Sequence, residues 1–316
     1  MCTYNGSRYL REQLESIAAQ TRLPDELIIC DDRSTDETPE TLEKFTHQAT
    51  FAVRVEFNQN NLGSTGNFEN AIRRCQGRII VLADQDDVWH PHKLSRISEV
   101  FDREKDVGAV FSDAELIDAN SRPLAKTLWN SVSFNSREQD KFEDGGGLEV
   151  MLKHPVVTGA TMAFRRDFKD LVLPIPSSQI HDHWIALLIA SVSQLAPIRD
   201  LLIQYRKHAA QQIGAGNIDS LWQLTQVSRR MSRDFYLGEV ERFNEISERL
   251  RCHIATFRPH QQALRMIQEK INHRKTRGSF PSSKVLRLPS LVREVATFRY
   301  WRYSNGLGSV AKDLLV

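Results

Sequence analysis

Three carboxylates fall within four residues at Asp84-Gln85-Asp86-Asp87, directly after the apolar run Ile79-Ile80-Val81-Leu82-Ala83. At a buried strand end such a cluster repels itself unless something positive arrives. Hard divalent cations take oxygen ligands and usually hold one or two carboxylates together with substrate phosphates. The spacing therefore points to a divalent metal, Mg²⁺ or Mn²⁺, with a phosphate-bearing substrate. The plainer alternative is a solvated acidic loop that caps the helix opening near Pro91. A second pair, Asp31-Asp32, ends the run Leu27-Ile28-Ile29-Cys30. Acids at such a place can accept hydrogen bonds from a base N–H or from ribose hydroxyls. They can also make a turn and cap the helix after Pro39, a role that suits Asp36 and Thr38. Asp182, in His181-Asp182-His183-Trp184, opens an apolar helix, where it suits an N-cap.

Weaker signals surround these. Asn60-Asn61-Leu62-Gly63-Ser64-Thr65-Gly66-Asn67 precedes a helix, where glycines let backbone approach a ligand and the helix N-terminus favours anions. Asn and Gly also make ordinary loops. His181, His183, His208, His90 and His92 invite a zinc reading, but the two that flank Asp182 point to different sides of a short segment. Trp89 and Trp184 suit either the core or the wall of an acceptor pocket.

The elements that would position these residues alternate. Strand-like runs at 27–30, 51–57, 78–83 and 109–111 are separated by helical patterns at 9–20, 39–46, 66–74 and 92–103. That order predicts an α/β fold, a doubly wound and mostly parallel sheet flanked by helices. In such sheets ligands bind beyond the carboxyl ends of the strands, where both acidic clusters fall. The opening residues Met1 to Gly6 look like a loop, so the first strand is expected to be missing. Residues 121–155, with Gly145-Gly146-Gly147, look irregular and suit a flexible connection or lid. Strand-like Val156 to Phe164 and Leu201 to Tyr205 follow, and from Ser220 the pattern is helical. The expected division is a domain over 1–215, with halves at 1–120 and 121–215, and a basic helical extension over 216–316.

Composition sets the wider limits. The 316 residues are 41% hydrophobic and 26% charged, enough for one large α/β domain with an appendage. No apolar run nears the roughly 20 residues that cross a bilayer. Nothing at the N-terminus marks export, and four widely spaced cysteines fit a reducing compartment, so a cytoplasmic location is expected. Net charge is +2, but residues 258–302 carry eleven Lys and Arg against Glu269 and Glu294, giving +9 there and −7 elsewhere. That tail, with Tyr300, Trp301 and Tyr303, could lie on an anionic membrane at the cytoplasmic face of the inner membrane. The alternative is a solvated helical surface. No motif supports nucleic-acid binding.

Taken in order, Cys2-Thr3-Tyr4-Asn5-Gly6, Ile28 to Thr38, Asn61-Leu62-Gly63, and Asp84-Gln85-Asp86-Asp87-Val88-Trp89 with Pro91 and Lys93-Leu94 resemble the family 2 glycosyltransferases of the GT-A fold. The likeness is to the bacterial rhamnosyltransferase-like branch and covers roughly residues 2–215. It implies a metal-dependent inverting transfer of a sugar from a nucleotide-diphosphate donor to a surface polysaccharide or lipid-linked glycan. It further implies that Asp86 ligates the metal, that Asp84 lies near the ribose, and that Asp31 or Asp32 contacts the base. Thr3 and Tyr4 match the loop around the base, and Asn61 and Gly63 lie in the matched nucleotide-side loop. Asp182 matches the catalytic base and His208 a histidine near metal and diphosphate. Two rivals stand beside this reading. A sugar nucleotidyltransferase would need a Gly-rich, basic phosphate loop where the chain has Asn5-Gly6-Ser7-Arg8. A catalytically inactive, membrane-docked nucleotide-binding scaffold would be compatible with a missing first strand.

Overall fold

The computed structural model describes residues 1–208 and 233–315. Strands β1 (Cys2–Thr3), β2 (Glu26–Asp31) and β3 (Ala52–Phe57) form a parallel sheet in that order. Successive residues of β2 face opposite sides, as a strand requires. Leu27 and Ile29 pack with Leu10, Leu14 and Ile17 of helix α1 (Ser7–Ala18) and with Leu42 and Phe45 of α2 (Thr38–Gln48). Cys30 packs on the other side with Phe68, Ala71 and Ile72 of α3 (Gly63–Arg74). Helices on both faces make this half doubly wound.

The first strand is present, which corrects the expectation that it is missing. Its two residues pair with Cys30 and Asp31, and the Met1 ammonium donates to Ile28 O at 2.8 Å. Two residues are too few for a strand pattern to be visible in sequence.

A second sheet holds β4 (Ile79–Val81), β5 (Val88–Trp89), β6 (Val107–Ile117), β7 (Pro123–Thr127), β8 (Met162–Arg165) and β9 (Gln194–Arg206). Its order is β4-β8-β6-β9-β5, with β7 on β6. Only β6 and β9 run parallel here; β4–β8, β6–β8, β5–β9 and β6–β7 are antiparallel. The expected mostly parallel pairing therefore describes the first half of the chain. An apolar run buried on both faces carries no mark of its neighbour's direction. Helix α4 (Lys93–Arg103) covers this sheet, burying Ile97 and Phe101 against Val110 and Ala163.

Residues 121–155 are not irregular. After β7 they form α5 (Leu128–Ser131), α6 (Ser136–Glu143) and α7 (Gly147–Lys153). Trp129, Phe134 and Phe142 are buried around Phe111 of β6, with ring centroids 5.2–5.7 Å from it. The aromatic contacts anchor a segment whose Gly and polar content reads as loop.

After α8 (Lys169–Val172) comes α9 (His181–Val192), apolar on all sides and buried from Trp184 to Ser191. Its surroundings include the helical C-terminal region: α10 (Arg233–Cys252), α11 (Ile254–Phe257), α12 (Ala263–Gly278), α13 (Lys284–Ala296), α14 (Arg299–Tyr303) and α15 (Leu307–Leu315). Val240, Phe243 and Ile246 of α10 and Ile267 and Ile271 of α12 join one core with α9. The boundary expected near 215 lies outside the described residues. The basic tail is not uniformly outward-facing. Lys270 donates to Leu152 O at 2.7 Å and Tyr303 O at 3.0 Å, and Arg277 pairs with Asp313 at 2.6 and 2.9 Å, all buried.

Buried His273 places Nδ1 2.6 Å from Glu294 Oε2 and Nε2 2.9 Å from Ser304 Oγ. Burial pushes its imidazole down to about 4 despite the carboxylate. Glu294, although buried, is held below its ordinary range by His273 and Arg299. The neutral ring thus donates to Glu294 and accepts from Ser304. Unfolded histidine binds a proton near pH 6.5 while the folded ring resists until about 4, so stability falls as pH drops through that window. The urea midpoint should decline between pH 7 and pH 5, with His273 contributing roughly 2 kcal/mol of loss by pH 5. His273→Asn should be less stable at pH 7 and have a shallower slope. Some slope should remain, because burial also holds His181 and His183 low. An unchanged slope in the variant would contradict this assignment.

Candidate active site

The loop 84–87 that leaves β4 is held from three directions. Gln13 of α1 donates to Asp84 O at 2.9 Å. The Gln85 amide pairs with the Tyr4 backbone, accepting from Tyr4 N at 2.8 Å and donating to Tyr4 O at 3.0 Å. Arg206, at the end of β9 and 1% exposed, does most. Its backbone N–H donates to Asp87 Oδ1 at 3.0 Å and its Nε to Asp86 O at 2.7 Å. Its other nitrogens reach Glu12 Oε2 at 2.5 Å and Ser121 Oγ at 2.7 Å, and the guanidinium lies 4.6 Å from the Tyr9 ring centre. The β5–β9 register, Val88 opposite Gln204, carries 206–208 past the acidic loop. His208 follows β9 and sets Nε2 2.8 Å from Asp86 Oδ2.

The carboxylates feel one another. Burial, then Asp86 and Asp182, push the half-buried Asp84 carboxyl up to about 7. Burial, Asp86 and Asp84 raise Asp87 well above the carboxylate range, and its Oδ2 is buried with no hydrogen-bond partner. Burial also pushes Lys93 down to about 7; its Nζ lies 3.9 Å over the Trp89 ring and donates to Ala160 O at 2.7 Å.

Asp182 lies in the first turn of α9. Its Oδ2 accepts from Gly159 N at 2.9 Å and its Oδ1 from His183 N at 2.6 Å, so the carboxylate is fixed by two backbone donors. His181 is buried and stacks on Phe68 at 3.9 Å, and burial holds the half-buried His183 imidazole below its usual range, so the pair is not poised as a zinc ligand set.

The acids at 31 and 32 are turned to the chain itself. Asp31 accepts from Thr3 Oγ1 (2.7 Å), Ser34 N (2.8 Å) and Ser34 Oγ (2.6 Å). Asp32 accepts from Asn58 Nδ2 (2.9 Å), Leu62 N (2.7 Å) and Gly63 N (2.9 Å). They anchor the two loops that hold the remaining expected residues. Thr3 is buried on Asp31, Tyr4 is 44% exposed, and Asn61 is exposed with Nδ2 3.3 Å from Asp32 O. Gly63 takes φ +71°, a conformation that favours glycine.

Asp84, Asp86, His208 and Asp182 are thus brought to one place, with Tyr4 tied to it through Gln85. Among the described residues, no group of three or more His, Cys, Asp or Glu is placed to hold a metal ion by itself. The donor set fits a divalent cation that completes its shell from phosphate oxygens and water, as Mg²⁺ does. Asp86 and His208 would hold it, with Asp84 beside them. Sequence reading missed Gln85, Arg206 and Gly159. Each sat inside or beside a quoted motif, but residue type does not say that an arginine will be buried or a backbone N–H aimed.

Residues 1–172 match the family described as "Glycosyl transferase family 2". An uncharacterized glycosyltransferase of Nostoc sp. is 30% identical over 66% of this chain and 63% of its own length. A UDP-Glc:alpha-D-GlcNAc-diphosphoundecaprenol beta-1,3-glucosyltransferase of Escherichia coli is 28% identical over 38% of this chain and 46% of its own. The crystal structure of S. aureus TarS 1–349 in complex with UDP-GlcNAc superposes with TM-score 0.54 at 17% identity, covering 99% of this chain and 86% of that one, a likeness of fold. The chain spans about three fifths of the length of the Nostoc relative.

The tie between Gln85 and Tyr4 depends on Gly6. A Cβ there would lie 2.2 Å from Gln85 Oε1 and 2.4 Å from its Cδ. Gly6→Ala should therefore displace Gln85 and speed hydrogen exchange at the Tyr4 amide about five- to tenfold, the loss of one ordinary hydrogen bond. Gln85→Ala should do the same, with little change in melting temperature for either. Unaltered exchange in both would mean that the tie does not order this loop.

Proposed function

Since the chain belongs to the family 2 glycosyltransferases, we propose that it transfers a sugar from a nucleotide-diphosphate donor to a bacterial cell-surface polysaccharide or lipid-linked glycan. The transfer is a single displacement that inverts the anomeric centre. The observation that carries this reading is the convergence of the Asp86–His208 pair, Asp84 and Asp182, whose charges act on one another. The family and the activity of the E. coli relative on a diphosphoundecaprenol-linked sugar support the donor and acceptor classes. The fold shared with the UDP-GlcNAc complex supports a nucleotide sugar.

The residues divide the work. The loops of residues 3–6 and 61–63, anchored on Asp31 and Asp32, receive the nucleotide on the 1–120 half. Asp84 faces the ribose side, and Asp86 with His208 faces the diphosphate. A divalent cation bound there supplies neutralisation of charge on the leaving diphosphate. Asp182, fixed by Gly159 N and His183 N, takes the proton of the acceptor hydroxyl. The hydroxyl oxygen bonds to the anomeric carbon as its bond to the phosphate oxygen breaks, and that electron pair leaves with the nucleoside diphosphate. The transition state is oxocarbenium-like, as in glycoside hydrolysis. A lipid-linked acceptor would draw the chain to the cytoplasmic face of a membrane.

Asp182→Asn should lower kcat about 10³-fold while donor affinity stays within a few-fold, because only the proton acceptor is removed. Asp86→Ala should abolish metal-dependent binding of the nucleotide in calorimetry with UDP, dTDP and GDP. Transfer at the unsubstituted rate by Asp182→Asn would remove that residue from the chemistry. Stabilisation by UDP and metal without turnover of any nucleotide sugar would favour the inactive scaffold instead.

A further inference from the structure

Helix α13 buries two charged residues and leaves a stripe of apolar ones outside. Its inward residues include Arg287 and Glu294, 8% and 1% exposed, around Leu291. Outward, Val285, Leu288, Pro289, Val292 and Ala296 are exposed along one stripe at helical spacing. Val285 is 74% exposed and Val292 60%. Buried polar bonds fix this orientation. Arg287 donates to Pro281 O at 2.9 and 3.1 Å and to Asp313 O at 2.5 Å, while Glu294 meets His273 and Arg299. Rotating the helix to bury the stripe would leave both charges without these partners, a far larger cost than exposing a few aliphatic side chains. The apolar surface continues into exposed Phe298 and Trp301 at the start of α14.

The charge that residues 279–314 leave exposed has one sign. Residues 279–314 contain two carboxylates, Glu294 and Asp313. Both are buried, Asp313 against Arg277 and Tyr300. Lys284, Arg293 and Arg302 remain at the exposed surface, Arg302 within 3.6 Å of Glu269. We propose that this face of α13 and α14 docks on an anionic lipid bilayer. The stripe with Phe298 and Trp301 enters the headgroup boundary, and the arginines meet lipid phosphates. Exposed apolar residues gathered on one face with a cationic rim mark an interaction surface. A second copy fits less well, because a like-on-like contact would bring the cationic rims together. The docking stands apart from the transfer chemistry and is read without donor or acceptor.

The test is co-sedimentation of the whole chain with phosphatidylcholine vesicles, with and without 30 mol% phosphatidylglycerol, a proportion of about one anionic lipid in three. Binding is expected only with the anionic lipid and should weaken with salt. Val292→Asp and Arg293→Glu, both at exposed positions, should each lower binding about tenfold or more while leaving circular dichroism unchanged. Three results overturn the proposal. They are absence of binding by the folded chain, equal binding to neutral vesicles, and unchanged binding by both variants. Concentration-dependent dimers in sedimentation velocity, dissolved by Val292→Asp in place of any vesicle effect, would assign the face to a second copy.

Discussion

Mutual repulsion among Asp84, Asp86, Asp87 and Asp182 is the constraint around which the first 208 residues are arranged. Burial, and then the nearness of the other carboxylates, raises Asp84 and Asp87, and that repulsion would loosen the loop that carries them if nothing opposed it. Arg206 opposes it from β9, with bonds to Asp86 O, Asp87 Oδ1 and Glu12. The contribution comes as much from geometry as from charge, since the backbone N–H and the guanidinium grip consecutive residues. A long parallel pairing of β6 with β9 is what delivers Arg206 and then His208 to that position. Lys93 works from the other side, tying α4 to Ala160 in the turn whose Gly159 N–H holds Asp182.

A second layer of buried polar bonds sets the rim of the same site. Asp31 and Asp32 are nearly fully buried, yet each satisfies its oxygens from neighbouring loops. A buried carboxylate with two or three such donors is stable only if those donors stay in place. The two acids therefore fix the loops at 3–6, 31–38 and 58–63 against one another. Gln85 joins that frame to the acidic loop through a paired amide contact with Tyr4.

The C-terminal helices follow the opposite logic from an ordinary helical layer. Their interior holds a polar and charged network, with Arg277 on the Asp313 carboxylate, Arg287 on the Asp313 backbone carbonyl and His273 on Glu294, beside a conventional apolar contact to α9. Such a network specifies one arrangement strongly, because any slip leaves a charge without its partner. One consequence is that aliphatic residues of α13 are left on the outside, the reverse of what burial alone would select.

The order of apolar runs and acidic strand ends in the sequence determined the alternation of strands and helices. It also marked the acidic loop and Asp182 as candidates, because strand and helix periods and the clustering of carboxylates are local properties. Local patterns failed where pairing decides. The two-residue β1, the antiparallel strands of the second sheet and the ordering of 121–155 on Phe111 come from contacts between residues far apart in the chain. The same holds for Asp31 and Asp32, whose neighbours at 3, 58, 62 and 63 no spacing rule selects. It holds for the basic tail, where the chain gives eleven cations and only packing says that Lys270, Arg277 and Arg287 turn inward while Arg293 does not. Charge is written in the sequence; the dielectric each charge sits in is set by the tertiary structure.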